Sequence, residues 1–309
     1  MLYEGAYMIN VQKFNFILLT TSQAGVNLAK GLQRAGHQLV AIGRGYSSDS
    51  EPVGAITSLS LSSQFSSDIP ISNLSVDISS DITDFISSYR SCLVLISWPK
   101  IIPERVLSVN NSCFIGTHPT PLPLGRGRHP LHWMRVLGIK RSQITAFFLD
   151  PGVDTGLVIS SIPYSLNPRG CIKQDLALIE RKYFIVGFII GIKLWFGIPK
   201  GRHQGSKFVT VWRKRNQFDT RIDFRMSAEA IIQHVKSFSS PFSLASCELN
   251  GTVFKLASAH RAIFALSAKK NRWSIFGSIL KEYTDKKGGQ WVLVRCYGGA
   301  VWLQIKNSL

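Results

Sequence analysis

A strand–helix–strand pattern near the start of the chain is the feature that most limits its fold. Residues 14–20 and 38–43 are short apolar runs, and residues 24–35 between them place apolar side chains at helical spacing. Gly36 follows at the position where a glycine commonly ends a helix. Two strands joined by a helix predict a parallel sheet with a right-handed crossover. Because no G-x-G-x-x-G motif follows the first strand, a dinucleotide is not expected there.

The same alternation continues through the first two-thirds of the chain and predicts an α/β class fold. A buried strand at 92–97 leads into residues 98–103, at the carboxyl edge where open sheets bind ligands. Further strands are predicted at 113–116, 143–149 and 157–163, weaker strand candidates at 55–61 and 69–76, and helices at 82–89, 104–109, 129–137 and 172–196. Residues 1–207 are therefore predicted to form a doubly wound, mostly parallel sheet covered by helices.

The last third of the chain, residues 208–309, has a different pattern. After a predicted helix at 228–236, alternating segments at 252–256, 291–295 and 300–305 lie between glycines. This pattern predicts a smaller, β-rich, OB-like C-terminal domain. The region holds 16 Lys and Arg residues against 6 Asp and Glu, within a chain of net charge +18. Such an excess of basic charge favours a polyanionic partner or an anionic substrate.

The composition predicts a soluble cytoplasmic protein with real hydrophobic cores. The chain is 45% apolar and 17% charged, and its five cysteines are scattered without a C-x-x-C pair. That spacing predicts neither a disulfide framework nor a zinc site. Residues 1–13 lack the pattern of a secretory signal. The apolar segment 183–199 is shorter than the ~20 residues of a membrane span and contains Lys193, so it is predicted to be a buried helix.

Two segments between Gly116 and Gly156 carry the side chains best suited to chemistry. The first begins Gly-Thr-His-Pro-Thr-Pro-Leu-Pro-Leu-Gly and sets His118 among prolines. The second reads Asp-Pro-Gly-Val-Asp-Thr-Gly and sets Asp154 in a glycine-flanked turn behind an apolar strand. Proline lacks a backbone donor and glycine admits left-handed backbone, so both side chains are expected on loops, outside strands and helices.

In their order and spacing, these two motifs resemble those of the formyltetrahydrofolate-dependent formyltransferase family, which includes methionyl-tRNA and nucleotide amino-sugar formyltransferases. The resemblance implies a Rossmann-like fold and an enzyme that moves a formyl group from 10-formyltetrahydrofolate to a primary amine. It also implies that His118 and Asp154 are the catalytic pair: His118 stabilises the oxyanion or moves a proton, and Asp154 accepts the proton of the attacking amine. The family's third catalytic residue is an asparagine two positions before the histidine, where this chain has Gly116.

The resemblance further implies where the two substrates bind. The folate is expected between the loop that follows residues 92–97 and the aspartate turn, in contact with Lys100, Ile101, Ile102, Leu149, Asp150, Pro151 and Gly152, with Leu122 and Pro123 at the mouth. Three residues are expected to bind the acceptor: Thr117, Arg126 and Arg128. The guanidinium groups of the two arginines suit a phosphate or a carboxylate. Thr117 is also a candidate replacement for the missing asparagine. No metal is expected.

Three functions are open at this point. The sequence Arg-Gly-Arg-His-Pro-Leu-His-Trp from residue 126 is more similar to formyltransferases that act on a nucleotide-linked amino sugar, and we favour this small amine. The basic C-terminal domain instead favours initiator methionyl-tRNA, although the basic insertion of those enzymes after the second strand is missing here. Gly116 and the high net charge are compatible with an RNA-binding or scaffold protein that has lost catalysis.

Overall fold

The computed structural model describes residues 12–46, 56–89, 93–262 and 274–306. The chain forms two compact units. The first comprises Met1–Gly127, Ser142–Tyr164 and Ala177–Val211, and the second comprises Arg128–Arg141, Ser165–Leu176 and Trp212–Leu309. The domain boundary predicted between residues 207 and 208 stays a prediction.

Strands and helices alternate through the first part of the chain. The strands are β1 (Asn15–Thr20), β2 (Gln38–Tyr46), β3 (Ile71–Ser75), β4 (Leu93–Ser97), β5 (Cys113–His118), β6 (Arg126–Gly127), β7 (Arg141–Phe148) and β8 (Val158–Ser165). The α-helices are α1 (Gln23–Arg34), α2 (Ser58–Ser62), α3 (Ser79–Ser87), α4 (Glu104–Leu107), α5 (Pro130–Val136) and α6 (Ile172–Leu194), and a 3-10 helix covers Val109–Asn111.

The main sheet of the first unit has the strand order β3-β2-β1-β4-β5-β7-β8. The pairs from β3 to β5 are parallel, whereas β5 and β7 are antiparallel. Residues 16–19 of β1 and 93–95 of β4 are fully buried, because helices cover the central strands. The predicted α/β class with a mostly parallel sheet is confirmed, and β7 is the strand that departs from the parallel arrangement.

One predicted strand is a helix in the structure. The strand candidate at 55–61 is wrong: residue 55 lies outside the described residues, and α2 occupies Ser58–Ser62. Thr57 begins this helix, since its side chain accepts a hydrogen bond from the backbone N–H of Ser60 at 3.1 Å. The serine-rich composition concealed a helix with only one buried residue, Leu61.

The long apolar segment forms part of α6 and is only half-buried. The buried face of α6 includes Ile179, Tyr183, Val186, Ile190 and Leu194, at the spacing of a helix that packs on one side. The opposite side leaves Phe184, Ile185, Phe188 and Ile192 between 37% and 43% exposed. The expectation of a buried helix is therefore corrected to a helix with one covered face. Among the described residues, none of the helices combines the length and the apolar character that crossing a bilayer requires.

The last third of the chain forms a separate antiparallel sheet with its own core. The elements of this part of the chain are β9 (Val211–Trp212), the 3-10 helix Gln217–Thr220, α7 (Ala228–Ser237), β10 (Ser246–Leu249), β11 (Thr252–Arg261), β12 (Ile279–Thr284), β13 (Gln290–Cys296) and β14 (Gly299–Lys306). The sheet of the second unit has the order β10-β11-β14-β13-β12. Ile231 and Val235 of α7 pack in one cluster with Leu256, Val294 and Leu303 of this sheet. The smaller β-rich domain is confirmed, and β12 is a strand that had not been predicted.

A buried histidine, His132, lies among aromatic rings in the second unit. The His132 ring in α5 lies 5.7 Å from the Phe238 ring and 4.6 Å from the Phe242 ring, measured between centroids. Among the described residues, no group hydrogen-bonds its Nε2 atom. Burial lowers the pKa of His132 to about 3, and the charge of Arg215 acts in the same direction.

This histidine is expected to make the protein sensitive to acid. Its folded-state pKa lies below the unfolded value, so the unfolded chain takes up the proton first as the pH falls below about 6.5. The free energy of unfolding should then decrease by about 1.4 kcal/mol per pH unit from this residue. Urea unfolding of His132→Phe at about pH 7 and about pH 5 should show a smaller difference than in the parent. The exposed His203→Phe is the control, and an unchanged difference in His132→Phe would show that His132 is not a source of the acid sensitivity.

Candidate active site

The register of the sheet brings three loop-forming segments of the first unit to the same level. Ile96 near the end of β4 pairs with Gly116 of β5, and Gly116 pairs on its other side with Phe147 of β7. From this level β4 continues into the loop that carries residues 100–102, β5 continues to His118, and β7 continues into the aspartate turn. β4 and β5 therefore lead to the carboxyl edge of the sheet. Antiparallel β7 leaves this level in the opposite direction, and the turn that follows it brings Asp154 back to His118.

His118 is the last residue of β5, so the prediction that it lies outside a strand is corrected by one position. The side chain is buried, with 6% of its surface exposed. Its Nε2 atom lies 2.7 Å from the carbonyl oxygen of Gly125, and its Nδ1 atom lies 3.5 Å from Oδ2 of Asp154. Because a carbonyl oxygen can only accept, Nε2 carries a proton and Nδ1 is the nitrogen that faces the carboxylate.

Asp154 has a left-handed backbone, with φ of 53°, which aspartate tolerates better than most residues. Its Oδ2 atom accepts a hydrogen bond from the backbone N–H of Gly127 at 2.8 Å. Among the described residues, no hydrogen bond to the other carboxylate oxygen, Oδ1, is found. The turn closes tightly on β7, since a Cβ atom added at Gly156 would lie 1.7 Å from the carbonyl oxygen of Phe148. One oxygen of Asp154 is thus fixed, and the other is free to take a proton.

The connector segment, residues 201–211, fixes the aspartate turn through the amide of Gln204. Its Nε2 atom donates to the carbonyl oxygens of Asp154 and Gly156, each at 2.9 Å. Its Oε1 atom accepts from Nε and Nη2 of Arg126, at 3.2 and 2.7 Å. Carbonyl oxygens only accept and a guanidinium only donates, so the orientation of this amide is determined by its partners. Gln204 therefore joins the aspartate turn to the end of the histidine loop.

Hydroxyl groups hold the histidine loop where its prolines provide no N–H. The carbonyl oxygen of Pro119 accepts from Ser142 at 3.0 Å and from Tyr164 at 2.6 Å. The carbonyl oxygen of Thr120 accepts from Thr145 at 2.6 Å. At the far end of the loop, the Thr210 hydroxyl accepts from the N–H of Gly125 at 2.6 Å. These bonds fix both ends of the loop that follows His118, to the neighbouring strands and to the connector segment.

Thr117 points away from the side of β5 that carries Gly116 and His118, because successive side chains of a strand face opposite ways. Its side chain is hydrogen-bonded to the hydroxyl of Tyr183 in α6. Burial raises the pKa of Tyr183 to about 12, so this hydroxyl stays protonated, while the bond to Thr117 acts in the opposite direction and the charge of Asp154 raises the pKa further. Thr117 therefore faces helix α6, which covers the sheet, and its predicted contact with the acceptor stays a prediction.

The residues predicted to bind folate fall into two groups. Ile102 is buried in an apolar cluster, and Leu149 packs against the same cluster. Ile101 is 63% exposed, Lys100 forms an ion pair with Asp77 at 2.6 Å, and Pro151 and Gly152 are exposed. Asp150 accepts hydrogen bonds from the Thr155 hydroxyl at 2.6 Å and from the N–H of Gly152 at 3.2 Å, which shapes the turn. At the predicted mouth, Leu122 is buried and Pro123 is partly buried.

Leu149 also fills the space beside Gly116. A Cβ atom added at Gly116 would lie 2.6 Å from Cδ1 of Leu149, so a larger residue requires that side chain to move. Gly116 therefore lacks the side-chain amide of the family's asparagine and also leaves space for another side chain. It allows an apolar side chain to pack directly on β5, two residues before His118.

The two arginines predicted to bind the acceptor have different surroundings. Arg126 is partly buried and bonded to Gln204, which makes it part of the support for the aspartate turn. Arg128 belongs to the second unit and its side chain is exposed. Among the described residues, no group of three histidine, cysteine or carboxylate side chains is placed to hold a metal ion.

Sequence reasoning did not find Gln204, Thr210 or Tyr183. Gln204 and Thr210 lie in a polar connector without periodicity, and Tyr183 lies in an apolar stretch that is typical of core. Their roles come from contacts across 50 residues between Gln204 and Asp154, and 85 residues between Thr210 and Gly125. No local pattern indicates such contacts.

Comparison with known proteins finds one family in both parts of the chain. Residues 53–165 match the formyl transferase family, and residues 215–307 match the formyl transferase C-terminal domain. Methionyl-tRNA formyltransferase of Desulforamulus reducens is 28% identical over 152 residues, which are 48% of this chain and 47% of the relative. That of Pseudomonas paraeruginosa is 25% identical over 241 residues, 74% of each chain. The chain thus spans about half the length of the first of these relatives.

A solved structure with the same fold is an N-formyltransferase from Helicobacter canadensis, in complex with folinic acid and dTDP-3-aminofucose. It has a TM-score of 0.67 at 10% sequence identity and covers 96% of this chain and 100% of the other. Since the two family matches together cover about two-thirds of the sequence, the chain belongs to the formyl transferase family.

The support from Gln204 can be measured as stability. Gln204→Ala leaves two carbonyl oxygens and the Arg126 guanidinium without their partner, so the free energy of unfolding should fall by about 1–3 kcal/mol. Gln204→Glu should also destabilise, because a carboxylate cannot donate to the two carbonyl oxygens. Urea unfolding is the measurement, and Gln217→Ala, at an exposed glutamine, is the matched control. Equal stability of Gln204→Ala and the control would show that the connector does not hold the turn.

Proposed function

We propose that this protein transfers a formyl group from 10-formyltetrahydrofolate to a primary amine, which belongs to a nucleotide-linked amino sugar. The observation that carries the proposal is the approach of His118 to Asp154, at 3.5 Å between Nδ1 and Oδ2, in a chain of the formyl transferase family. The two residues are 36 positions apart and share no secondary structure element. Their proximity is what a joint role in catalysis requires.

The contacts of the pair support distinct roles. In the reaction, the amine nitrogen bonds to the formyl carbon, the bond from that carbon to N10 of the folate breaks, and N10 takes up a proton in place of the one the amine loses. Asp154 Oδ1 is the free basic atom that takes the proton of the attacking amine. His118 lies between Gly125 and Asp154. A small change of these two contacts lets its ring pass a proton or donate a hydrogen bond to the developing oxyanion.

The apolar walls support a folate as the formyl donor. Ile102 lies in the loop that follows β4, and Leu149 directly follows β7. Ile102 belongs to an apolar cluster, and Leu149 packs against the same cluster. A flat ring between apolar side chains, with backbone groups at its edge, is a common form of ligand site. Folinic acid, a formyl derivative of the same cofactor, is bound in the related N-formyltransferase structure. The residues on these loops would hold the pterin ring, and the bound folate supplies the activated formyl group.

The acceptor is assigned from the loop that follows His118. Arg128 is exposed two positions beyond Arg126, and an exposed guanidinium suits the phosphates of a nucleotide. The structural relative that binds a nucleotide-linked amino sugar is matched over its whole length. One observation favours methionyl-tRNA as a second candidate: the curated relatives that align with this sequence are methionyl-tRNA formyltransferases. The high positive charge of the chain would also favour a tRNA.

A transfer assay separates these possibilities. With 10-formyltetrahydrofolate as donor, the purified protein should formylate a nucleotide-linked amino sugar and not charged initiator tRNA. Asp154→Asn should lower kcat by about 100-fold or more, because the proton acceptor is lost. Asp150→Asn, a neighbouring turn aspartate, should change KM for the folate more than kcat. Formylation of the tRNA alone would transfer the assignment to the second candidate, and an unaffected Asp154→Asn enzyme would contradict the mechanism.

Gly116 and Leu149 give a separate test. Gly116→Asn alone should be poorly active and less stable by about 1–3 kcal/mol, because the new side chain overlaps Leu149. Combined with Leu149→Ala, the asparagine has room and adds a donor near His118, so kcat at saturating folate should exceed that of Leu149→Ala by about tenfold or more. Thermal melting and single-turnover rates measure the two effects. Equal kcat values for the double and the single variant would show that this position does not face the reacting group.

A further inference from the structure

A groove of about 670 Å³ lies in the second unit, and it does not include any residue of the proposed active site. All of its lining residues belong to that unit. Residues from the start of α6, from the end of α7 and from strands β11, β13 and β14 line it. Its volume is within the range of small-molecule sites.

The charged side chains that line the groove are all basic. They are Lys173, Lys236 and Lys306, and no aspartate or glutamate is among the described lining residues. Lys236 donates to the carbonyl oxygen of Arg169 at 3.2 Å, which orients its ammonium group. Three positive charges around one small groove favour an anionic ligand. The hydroxyls of Ser239 and Ser240, on the same lining, are further groups that can bond to an oxyanion.

The acidic residue in the turn that borders the groove is already occupied. Gly288 and Gly289 line the groove, and Asp285 begins their turn. Its carboxylate accepts from the N–H groups of Lys287 and Gly289, each at 2.8 Å, and from Nε1 of Trp291 at 2.9 Å. These bonds hold the negative charge within the turn. Asp285 therefore supports the shape of the groove and leaves the three lysines available.

An aromatic surface continues from the groove across the sheet. The His260 ring, which lines the groove, lies 5.3 Å from the Trp291 ring. Trp291 is stacked on Tyr283 at 6.2 Å with an interplanar angle of 10°, and Tyr283 is 45% exposed. The pairing of His260 with Trp302 and of Trp291 with Tyr283 places these rings on the face opposite the apolar core. Exposed rings beside positive charge are the arrangement that binds nucleotide bases by stacking.

We propose that this groove binds a nucleotide, with its phosphate at Lys173, Lys236 and Lys306 and its base against His260. An inorganic anion would use the lysines and leave the rings without a role. A neutral sugar would use the rings and leave the lysines without a counter-charge. A nucleotide supplies both groups in one molecule of suitable size, either free or as one unit of a single strand. Binding in this groove does not depend on the proposed formyl transfer.

Calorimetric titration of the full chain tests the site. AMP should bind, and adenosine and inorganic phosphate should each bind at least about tenfold more weakly, since each lacks one of the two groups. Lys236→Gln and Lys306→Gln should each weaken AMP binding about five- to tenfold through loss of a charge-assisted contact. His260→Ala should weaken AMP and adenosine by similar factors and leave phosphate binding unchanged. Lys287→Gln, an exposed lysine outside the lining, is the matched control and should bind AMP like the parent.

The alternative outcomes are distinct. A single-stranded oligoadenylate of about ten residues that binds about tenfold tighter than AMP, with the same sensitivity to Lys236→Gln, would identify the nucleotide as part of a strand. Equal affinities would identify the free nucleotide. AMP binding that is lost in Arg128→Gln and retained in the groove variants would place the ligand elsewhere and overturn the proposal. So would phosphate that binds as tightly as AMP, or no binding of AMP at all.

Discussion

The antiparallel pairing of β5 with β7 determines how the candidate active site is assembled, because it sets the direction in which the chain leaves the sheet next to His118. Gly116 pairs with Phe147 and Ile115 with Phe148, so β7 ends beside the middle of β5. To reach His118, the chain must then turn back. The aspartate turn makes this reversal, closes on the carbonyl oxygen of Phe148 through Gly156, and brings Asp154 to the histidine.

Side-chain amides and hydroxyls stabilise a site whose loops make few regular backbone hydrogen bonds. Proline-rich and glycine-rich segments offer few regular backbone bonds, so their carbonyl groups need donors from elsewhere. Gln204 serves Asp154 and Gly156, and Thr145 serves Thr120. The result is a candidate catalytic pair with several fixed contacts and, among the described residues, one carboxylate oxygen without a hydrogen-bonding partner. This is the combination that proton transfer needs, since a base must be held in place and still be available.

Basic side chains have different surroundings at the candidate active site and at the groove. In the first unit, Arg126 is bonded within the protein and serves to hold Gln204. In the second unit, Lys173, Lys236 and Lys306 line a groove that has no acidic residue among its described lining. The excess of basic residues in the last third of the sequence therefore contributes, at this groove, to a candidate binding surface. Net charge alone favours an anionic partner, whereas the position of the aromatic rings favours a nucleotide.

The sequence by itself determined the fold class, the two domain types and the two side chains of the candidate site. Apolar periodicity reports which segments are buried, and the proline and glycine motifs around His118 and Asp154 are local, so both can be read along the chain. Only the tertiary structure decided the antiparallel entry of β7, the role of Gln204, and the packing of Leu149 against Gly116. These depend on contacts between residues distant in sequence, and such contacts are fixed by register and side-chain packing, which leave no periodic signal in a single chain.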